Sequence, residues 1–207
     1  VEQRFMNADF FQELDEDPMF QDAAVYARTV TTAQSLPHVI DEAIRRAYAA
    51  HGATIVGIPN DLAAELIPAN GYYSAAATHA TPILAAGTDE QVDQALRLIR
   101  TASRPVMYVG QGVRGAADAV MTLAKKLQMP VITTALGKPI IPYAFEALLG
   151  SAARVASKPA NEALRVADLI MFVGSNYPFA EVMFSPKAKF IQIEADPKTL
   201  GKRHHTD

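Results

Sequence analysis

Apolar residues recur in two rhythms along this chain, and the alternation between them predicts a parallel α/β architecture. Over residues 35–50, Val39, Ile40, Ala43, Ile44 and Ala47 fall at helical spacing. Ser35 is placed to cap that helix, and Pro37 sits in its first turn, where a missing N–H costs nothing. Gly52 is placed to end it. Residues 53–58 then form a short unbroken apolar run, the pattern of a strand buried on both faces. The rhythm restarts at Thr88, which with Gln91 spells a capping box. Val92, Ala95, Leu96 and Ile99 give a helical stripe, and 105–109 a buried strand. A helix over 116–127 follows, with Val120, Leu123, Ala124 and Leu127 on one face, then a strand over 130–133. Pro159 opens a further helix to about 166, and strands are predicted over 168–173 and 190–193. Repeated helix–strand units of this kind predict a doubly wound parallel sheet.

Three stretches carry neither rhythm. Residues 1–30 have no clean period. Their acidic run Glu13, Asp15, Glu16 and Asp17 reads as a solvated turn, whereas Phe10 and Phe11 are expected in a core or lining a pocket. Between 60 and 82, Pro68, Asn70, Gly71 and Pro82 mark an interdomain linker. Residues 134–157 contain several Gly and Pro and read as a long loop.

Composition narrows the function. The 207 residues are half apolar and carry 19 Lys and Arg against 22 Asp and Glu, so the chain is neither disordered nor built for nucleic acid. No run is long and apolar enough for a membrane span. The absence of Cys removes thiol catalysis and Cys-based metal sites. The five His have no metal-binding spacing, and the adjacent His204 and His205 read as a solvated terminus. No G-x-S-x-G occurs. Residue 1 is Val and no signal-peptide pattern follows it, so the chain reads as a piece of a longer, cytoplasmic protein or as one whose start was removed.

The candidate chemistry lies after the predicted strands, where doubly wound sheets bind ligands. Gly110-Gln111-Gly112-Val113-Arg114-Gly115 matches G-x-G-x-x-G between a strand and a helix. The next strand ends in Ile132-Thr133-Thr134 without the acidic residue of a plain dinucleotide site. The motif therefore leaves open a nucleotide in another pose, a nicotinamide dinucleotide, or a turn with no ligand. Arg114 and Arg154 could neutralise a pyrophosphate or form surface ion pairs. Glu194 or Asp196 could accept from ribose hydroxyls, while Asp196-Pro197 also has the form of a helix cap.

Longer motifs carry a resemblance. Phe11-Gln12-Glu13-Leu14, the segment from Leu36-Pro37-His38 to Ala47-Tyr48, Gly150-Ser151 through Arg154-Val155, and Lys158-Pro159-Ala160-Asn161-Glu162 are its first part. Asn176-Tyr177-Pro178-Phe179-Ala180-Glu181, Asp196-Pro197 and Leu200-Gly201-Lys202-Arg203-His204 complete it. Together they resemble the pyruvate oxidase family, phosphate-dependent enzymes that use thiamine diphosphate with Mg2+ and FAD. The resemblance implies that residues 1–75 are the C-terminal part of a thiamine-pyrimidine-binding α/β domain. It makes 76–87 a linker and 88–207 a middle FAD-binding domain lacking its C-terminal end. Phe11 and Gln12 would line the substrate pocket. FAD would be held by Gly110, Gly112, Arg114, Thr134, Lys138, Arg154, Asn176, Tyr177, Phe179, Glu194 and Asp196. The chain departs from the family's usual pattern at Ala153 and over 135–139.

The family reaction converts pyruvate, phosphate and oxygen to acetyl phosphate, carbon dioxide and hydrogen peroxide, in a homotetramer. The family's Gly-Asp-Gly motif for the metal and diphosphate is absent from these residues. The isolated chain is accordingly expected to be inactive. Two other readings stand beside this one: part of an acetolactate-synthase-like enzyme with structural FAD, and a non-catalytic nucleotide-binding module.

Overall fold

The computed structural model describes residues 1–68, 85–177 and 183–207. The chain divides into two compact units, Val1–Ile83 and Leu84–Asp207.

In the first unit, helix α1 (Glu16–Met19) precedes strand β1 (Tyr26–Thr29), helix α2 (Leu36–Ala50) and strand β2 (Thr54–Gly57). The two strands pair in parallel, Tyr26 opposite Thr54 and Thr29 opposite Gly57. The strand β1 lies in the stretch that showed no period, because only four residues of mixed burial form it. The start of α2 differs in detail from the expectation. A 3-10 turn, Ala33–Ser35, leads into it, and the capping bond is made by Thr32, whose hydroxyl accepts the Ser35 N–H at 3.2 Å. At the far end His51, not Gly52, takes the left-handed conformation (φ 49°). Gly52 is needed for another reason: a Cβ there would stand 2.4 Å from Val25 Cγ1. The small core is Val30, Ala33 and Leu62, with Leu36, Val39 and Val56 packed against it.

The second unit is a five-stranded parallel sheet with helices on both faces. Its elements are α3 (Asp89–Thr101), β3 (Pro105–Val109), α4 (Ala117–Leu127), β4 (Val131–Thr133), β5 (Leu148–Ser151), α5 (Lys158–Val166), β6 (Leu169–Val173) and β7 (Lys189–Ile193). The strand order is β5-β4-β3-β6-β7. Alternation along β3 shows how two faces are covered. Met107 and Val109 pack with Val120 and Ala124 of α4 and Leu98 and Ile99 of α3. Val106 and Tyr108 pack with Ala160 and Leu164 of α5. The doubly wound expectation therefore holds. Each large side chain so buried contributes about 1.5–3 kcal/mol. The Thr88 capping box forms as read: its hydroxyl accepts from Gln91 N–H at 3.3 Å, and the Gln91 side chain accepts from Thr88 N–H at 3.0 Å.

Two readings are corrected here. β5 lies within the stretch expected to be loop. Leu148-Leu149-Gly150-Ser151 is short, only half-buried, and its ladder to β4 is irregular, so it lacks the apolar run that marks β3 and β6. His204 is buried rather than solvated. Its ring stacks on Phe172 at 5.5 Å and Phe190 at 5.6 Å, and its Nε2 lies 3.2 Å from the Tyr177 carbonyl oxygen.

At the amino end of the sheet, Asp168 fastens the turn that feeds β3. Its carboxylate accepts the N–H groups of Ser103 at 2.7 Å and Arg104 at 2.8 Å. Burial acts to raise its pKa, but those N–H groups outweigh it and hold the carboxyl below the ordinary range. Asp168→Asn is expected to cost about 1–2 kcal/mol at neutral pH. Because the folded-state pKa is lowered, the contribution is present above the unfolded value of about 4. It is lost as pH falls through the folded value. Urea titrations of both proteins at neutral and at acid pH check this: the gap between their midpoints should close in acid.

Candidate functional site

All strands of the second unit are parallel, so the loops that follow them open on one edge of the sheet. The chain runs from β3 to β4 and β5 on one side, then crosses back to β6 and β7 on the other. The direction reverses between β3 and β6, and such a switch point opens a crevice at the carboxyl ends of the two strands. Gly110 and Gly112 follow β3 there, and Gly174 follows β6.

The glycines make these loops interlock. Gly110 donates its N–H to the Val173 carbonyl at 2.9 Å, and Gly112 to the Gly174 carbonyl at 3.0 Å. A Cβ on Gly110 would lie 2.2 Å from the Gly174 oxygen, and one on Gly112 would lie 2.7 Å from the Gly174 Cα. Gly174 is itself left-handed at φ 59°. The loop after β4 closes in from the other side: Thr134 donates its N–H to Val109 at 2.8 Å, and a Cβ on Gly137 would stand 2.6 Å from the Val109 oxygen. The G-x-G-x-x-G motif thus serves loop packing, and its helical continuation is not immediate. A 3-10 turn, Gln111–Val113, comes first, and α4 begins only at Ala117. Of the motif's three glycines, Gly115, at φ 86° with open space around its Cβ position, answers to backbone conformation alone. Gly137 and Gly174 are the positions whose role was missed, although each stands just after a strand.

The other predicted residues follow the strands in order along the same edge of the sheet. Thr134 and Lys138 follow β4, Arg154 follows β5, Asn176 and Tyr177 follow β6, and Glu194 and Asp196 follow β7. Arg114, Lys138 and Arg154 are exposed, and none makes an ion pair among the described residues. The surface-pair alternative for the two Arg is therefore not realised among those residues. Asp196 instead realises its capping alternative. Its Oδ1 accepts the Lys198 N–H at 3.0 Å at the start of the turn Pro197–Thr199. Glu194 Oε1 accepts the Ala195 N–H at 2.9 Å.

The Tyr177 side chain does not face a ligand. The ring is fully buried, edge-on to Tyr108 at 5.2 Å and against Phe184 at 4.9 Å, with its hydroxyl 2.9 Å from Met183 Sδ. Burial pushes both Tyr177 and Tyr108 hydroxyls up in pKa, Tyr108 further through its neighbour Tyr177. The Tyr108 hydroxyl is held by the Ala152 carbonyl. Phe179 lies outside the described residues.

In the first unit Phe11 is 80 % exposed and Gln12 is also exposed, so of the two alternatives, a core or a pocket lining, the core is ruled out for Phe11. An open cleft of about 400 Å³ beside β1 is lined by Asp17, Val25, Tyr26, Arg28 and Arg46, and none of the predicted site residues reaches it. Among the described residues no cluster of His, Asp and Glu could hold a metal ion, and no helix is long and apolar enough to cross a membrane.

Comparison with known proteins adds to this geometry. The family described as "Thiamine pyrophosphate enzyme, central domain" matches residues 92–207. The chain is 48% identical over 204 residues to a pyruvate oxidase of Lactiplantibacillus plantarum, covering 98% of this chain and 34% of that protein. It is 29% identical over 202 residues to acetolactate synthase isozyme 1 large subunit of Escherichia coli, covering 95% and 35%. Among solved structures it resembles a thiamine diphosphate-dependent 4-hydroxybenzoylformate decarboxylase of Rhodococcus jostii RHA1. That likeness has a TM-score of 0.74 at 19% identity, over 100% of this chain and 40% of that one, and speaks for the fold. The chain spans about a third of the length of these two curated relatives.

Proposed function

The chain belongs to the thiamine pyrophosphate enzyme family through its central domain, and on that premise we propose that it is the central part of a pyruvate oxidase that binds FAD. The observation that carries the reading is the 48% identity to a pyruvate oxidase across 98% of the chain, against 29% to an acetolactate synthase. The proposed reaction takes pyruvate, phosphate and oxygen to acetyl phosphate, carbon dioxide and hydrogen peroxide. The proposed setting is a cytoplasmic homotetramer.

The crevice residues fit FAD. A flavin dinucleotide carries two phosphates, two sugar or sugar-derived chains and two flat rings. Arg114, Lys138 and Arg154, exposed and without an ion pair among the described residues, supply cations for the pyrophosphate. Gly115, left-handed and with open space where a Cβ would stand, leaves backbone in the loop after β3 that a phosphate or flat group can approach. Thr134 and Asn176 offer neutral hydrogen-bonding groups, and Glu194 and Asp196 offer acceptors for hydroxyls. When bound, FAD supplies the electron acceptor that an oxidase needs. The residues of this chain do not fit the thiamine diphosphate and Mg2+ site, since neither the Gly-Asp-Gly motif nor an acidic cluster is found among the described residues. On this reading residues 1–75 belong to the pyrimidine-binding domain and 88–207 to the FAD domain, with Phe11 and Gln12 lining the substrate pocket.

A flavin absorbance spectrum of the purified chain tests the binding step. About one FAD per chain, released on denaturation, is expected. A folded chain that takes up no FAD from excess cofactor would contradict it.

A further inference from the structure

Residues 5–13 form a loop whose shape is enforced largely by one side chain. Asn7, Asp9 and Gln12 have φ of 63°, 53° and 61°, a region that residues other than Gly enter seldom. Three such residues so close together persist only where contacts over-determine them. Glu13 supplies those contacts. Its Oε1 accepts the N–H of Asn7, and its Oε2 accepts the N–H of Ala8 at 3.2 Å and of Phe10 at 3.0 Å. Its own N–H donates to the Phe10 carbonyl at 2.9 Å. The N–H groups of Phe10 and Asn7 hold the Glu13 carboxyl below the ordinary range, so it is an ionised acceptor. On the other side of the loop the Phe10 ring stacks on Phe5 at 4.1 Å, and Arg4 covers Phe5 at 4.5 Å. Between these anchors Phe11 and Gln12 project into solvent.

Sequence pattern gave Glu13 to a solvated acidic turn, but its carboxylate is turned onto the backbone, unlike a charge whose only task is solubility. We propose that Glu13 is a positioning residue for the substrate pocket, holding the 7–13 loop in the one conformation that presents Gln12, with Phe11 beside it, to the substrate. The proposal rests on the reading above that those two residues line that pocket. Gln12 would touch substrate, and Glu13 would act only through it.

The test uses the complete FAD- and thiamine-diphosphate-loaded enzyme with Gln12→Ala, Glu13→Ala, Glu13→Gln and the double variant Gln12→Ala/Glu13→Ala. A misplaced contact residue costs on the order of tenfold to a hundredfold in rate. Glu13→Ala should lower kcat/KM for pyruvate by about tenfold, with flavin content and melting midpoint unchanged. Glu13→Gln, which keeps one carbonyl acceptor, should recover part of the loss. The double variant should be no worse than Gln12→Ala, since an acting-through residue has nothing left to position. Chymotryptic cleavage after Phe11, followed by mass spectrometry, should be several-fold faster in Glu13→Ala. If Gln12→Ala is impaired while Glu13→Ala stays within twofold and is cleaved no faster, the positioning role is overturned and the pocket reading survives. If Gln12→Ala itself is unimpaired, the pocket reading fails and takes the positioning role with it.

Discussion

Gly110→Ala is expected to destabilise the second unit by about 3 kcal/mol, at the upper end of what inserting a single methyl usually costs. The new Cβ would stand 2.2 Å from the Gly174 carbonyl oxygen and 2.6 Å from Ser175 Cβ. Neither obstacle is the end of a flexible side chain. The Gly174 carbonyl is also the acceptor for Gly112 N–H at 3.0 Å, so it cannot withdraw without breaking that bond. Backbone strain plays no part, because Gly110 has φ −103°, open to any residue. Gly115→Ala is the matched control: its φ of 86° is strained for alanine, but the added methyl meets nothing. It should cost about 1–2 kcal/mol. Urea midpoints of the three proteins decide. A Gly110→Ala protein within about 0.5 kcal/mol of the parent would mean that the two switch-point loops do not interlock as described.

The second large effect falls on binding and leaves folding untouched. Replacing both Arg114 and Arg154 by Ala should weaken FAD binding by at least about a hundredfold, since hydrogen bonds to charged groups contribute about 1.5–3 kcal/mol each. Both side chains are exposed and unpaired among the described residues, so the unfolding midpoint of the FAD-free proteins should not move. That separation makes the experiment informative. A loss of affinity with unchanged stability identifies ligand-facing cations, whereas unchanged affinity would return both residues to the surface. Fluorescence titration of FAD at two salt concentrations would also show the parent's affinity falling with ionic strength more steeply than the variant's.

The apolar rhythm made most of the second unit legible. β3 and β6 are unbroken apolar runs because they are central strands with helices on both faces, and α3 is announced by its capping box. What stayed hidden depends on contacts between distant segments. β5 is a half-buried edge strand whose sequence carries no apolar run. His204 is buried because Phe172, Phe190 and Phe184 surround it, and nothing in its immediate neighbours announces that.

The site was legible in position but less so in role. The parallel sheet brings the strand-end residues to one edge, as their spacing implied. Yet Gly110 and Gly112 turn out to interlock loops, Asp196 to cap a turn, and Tyr177 to fill the interior. A glycine, an aspartate before proline and a tyrosine each have a packing use and a binding use. Only the partner that meets them in three dimensions distinguishes the two. Glu13 shows the reverse case, a residue assigned to solvent whose carboxylate organises the backbone around it.

The central claim is that this chain is the FAD-bearing middle of a pyruvate oxidase, and anaerobic flavin reduction in the complete enzyme tests it most directly. On adding pyruvate without oxygen, the visible flavin absorbance should bleach within turnover time. Admitting air with phosphate should restore it as acetyl phosphate and hydrogen peroxide form. A flavin that stays oxidised while pyruvate is consumed to a condensation product would contradict the oxidase reading and place the chain in a synthase with structural FAD.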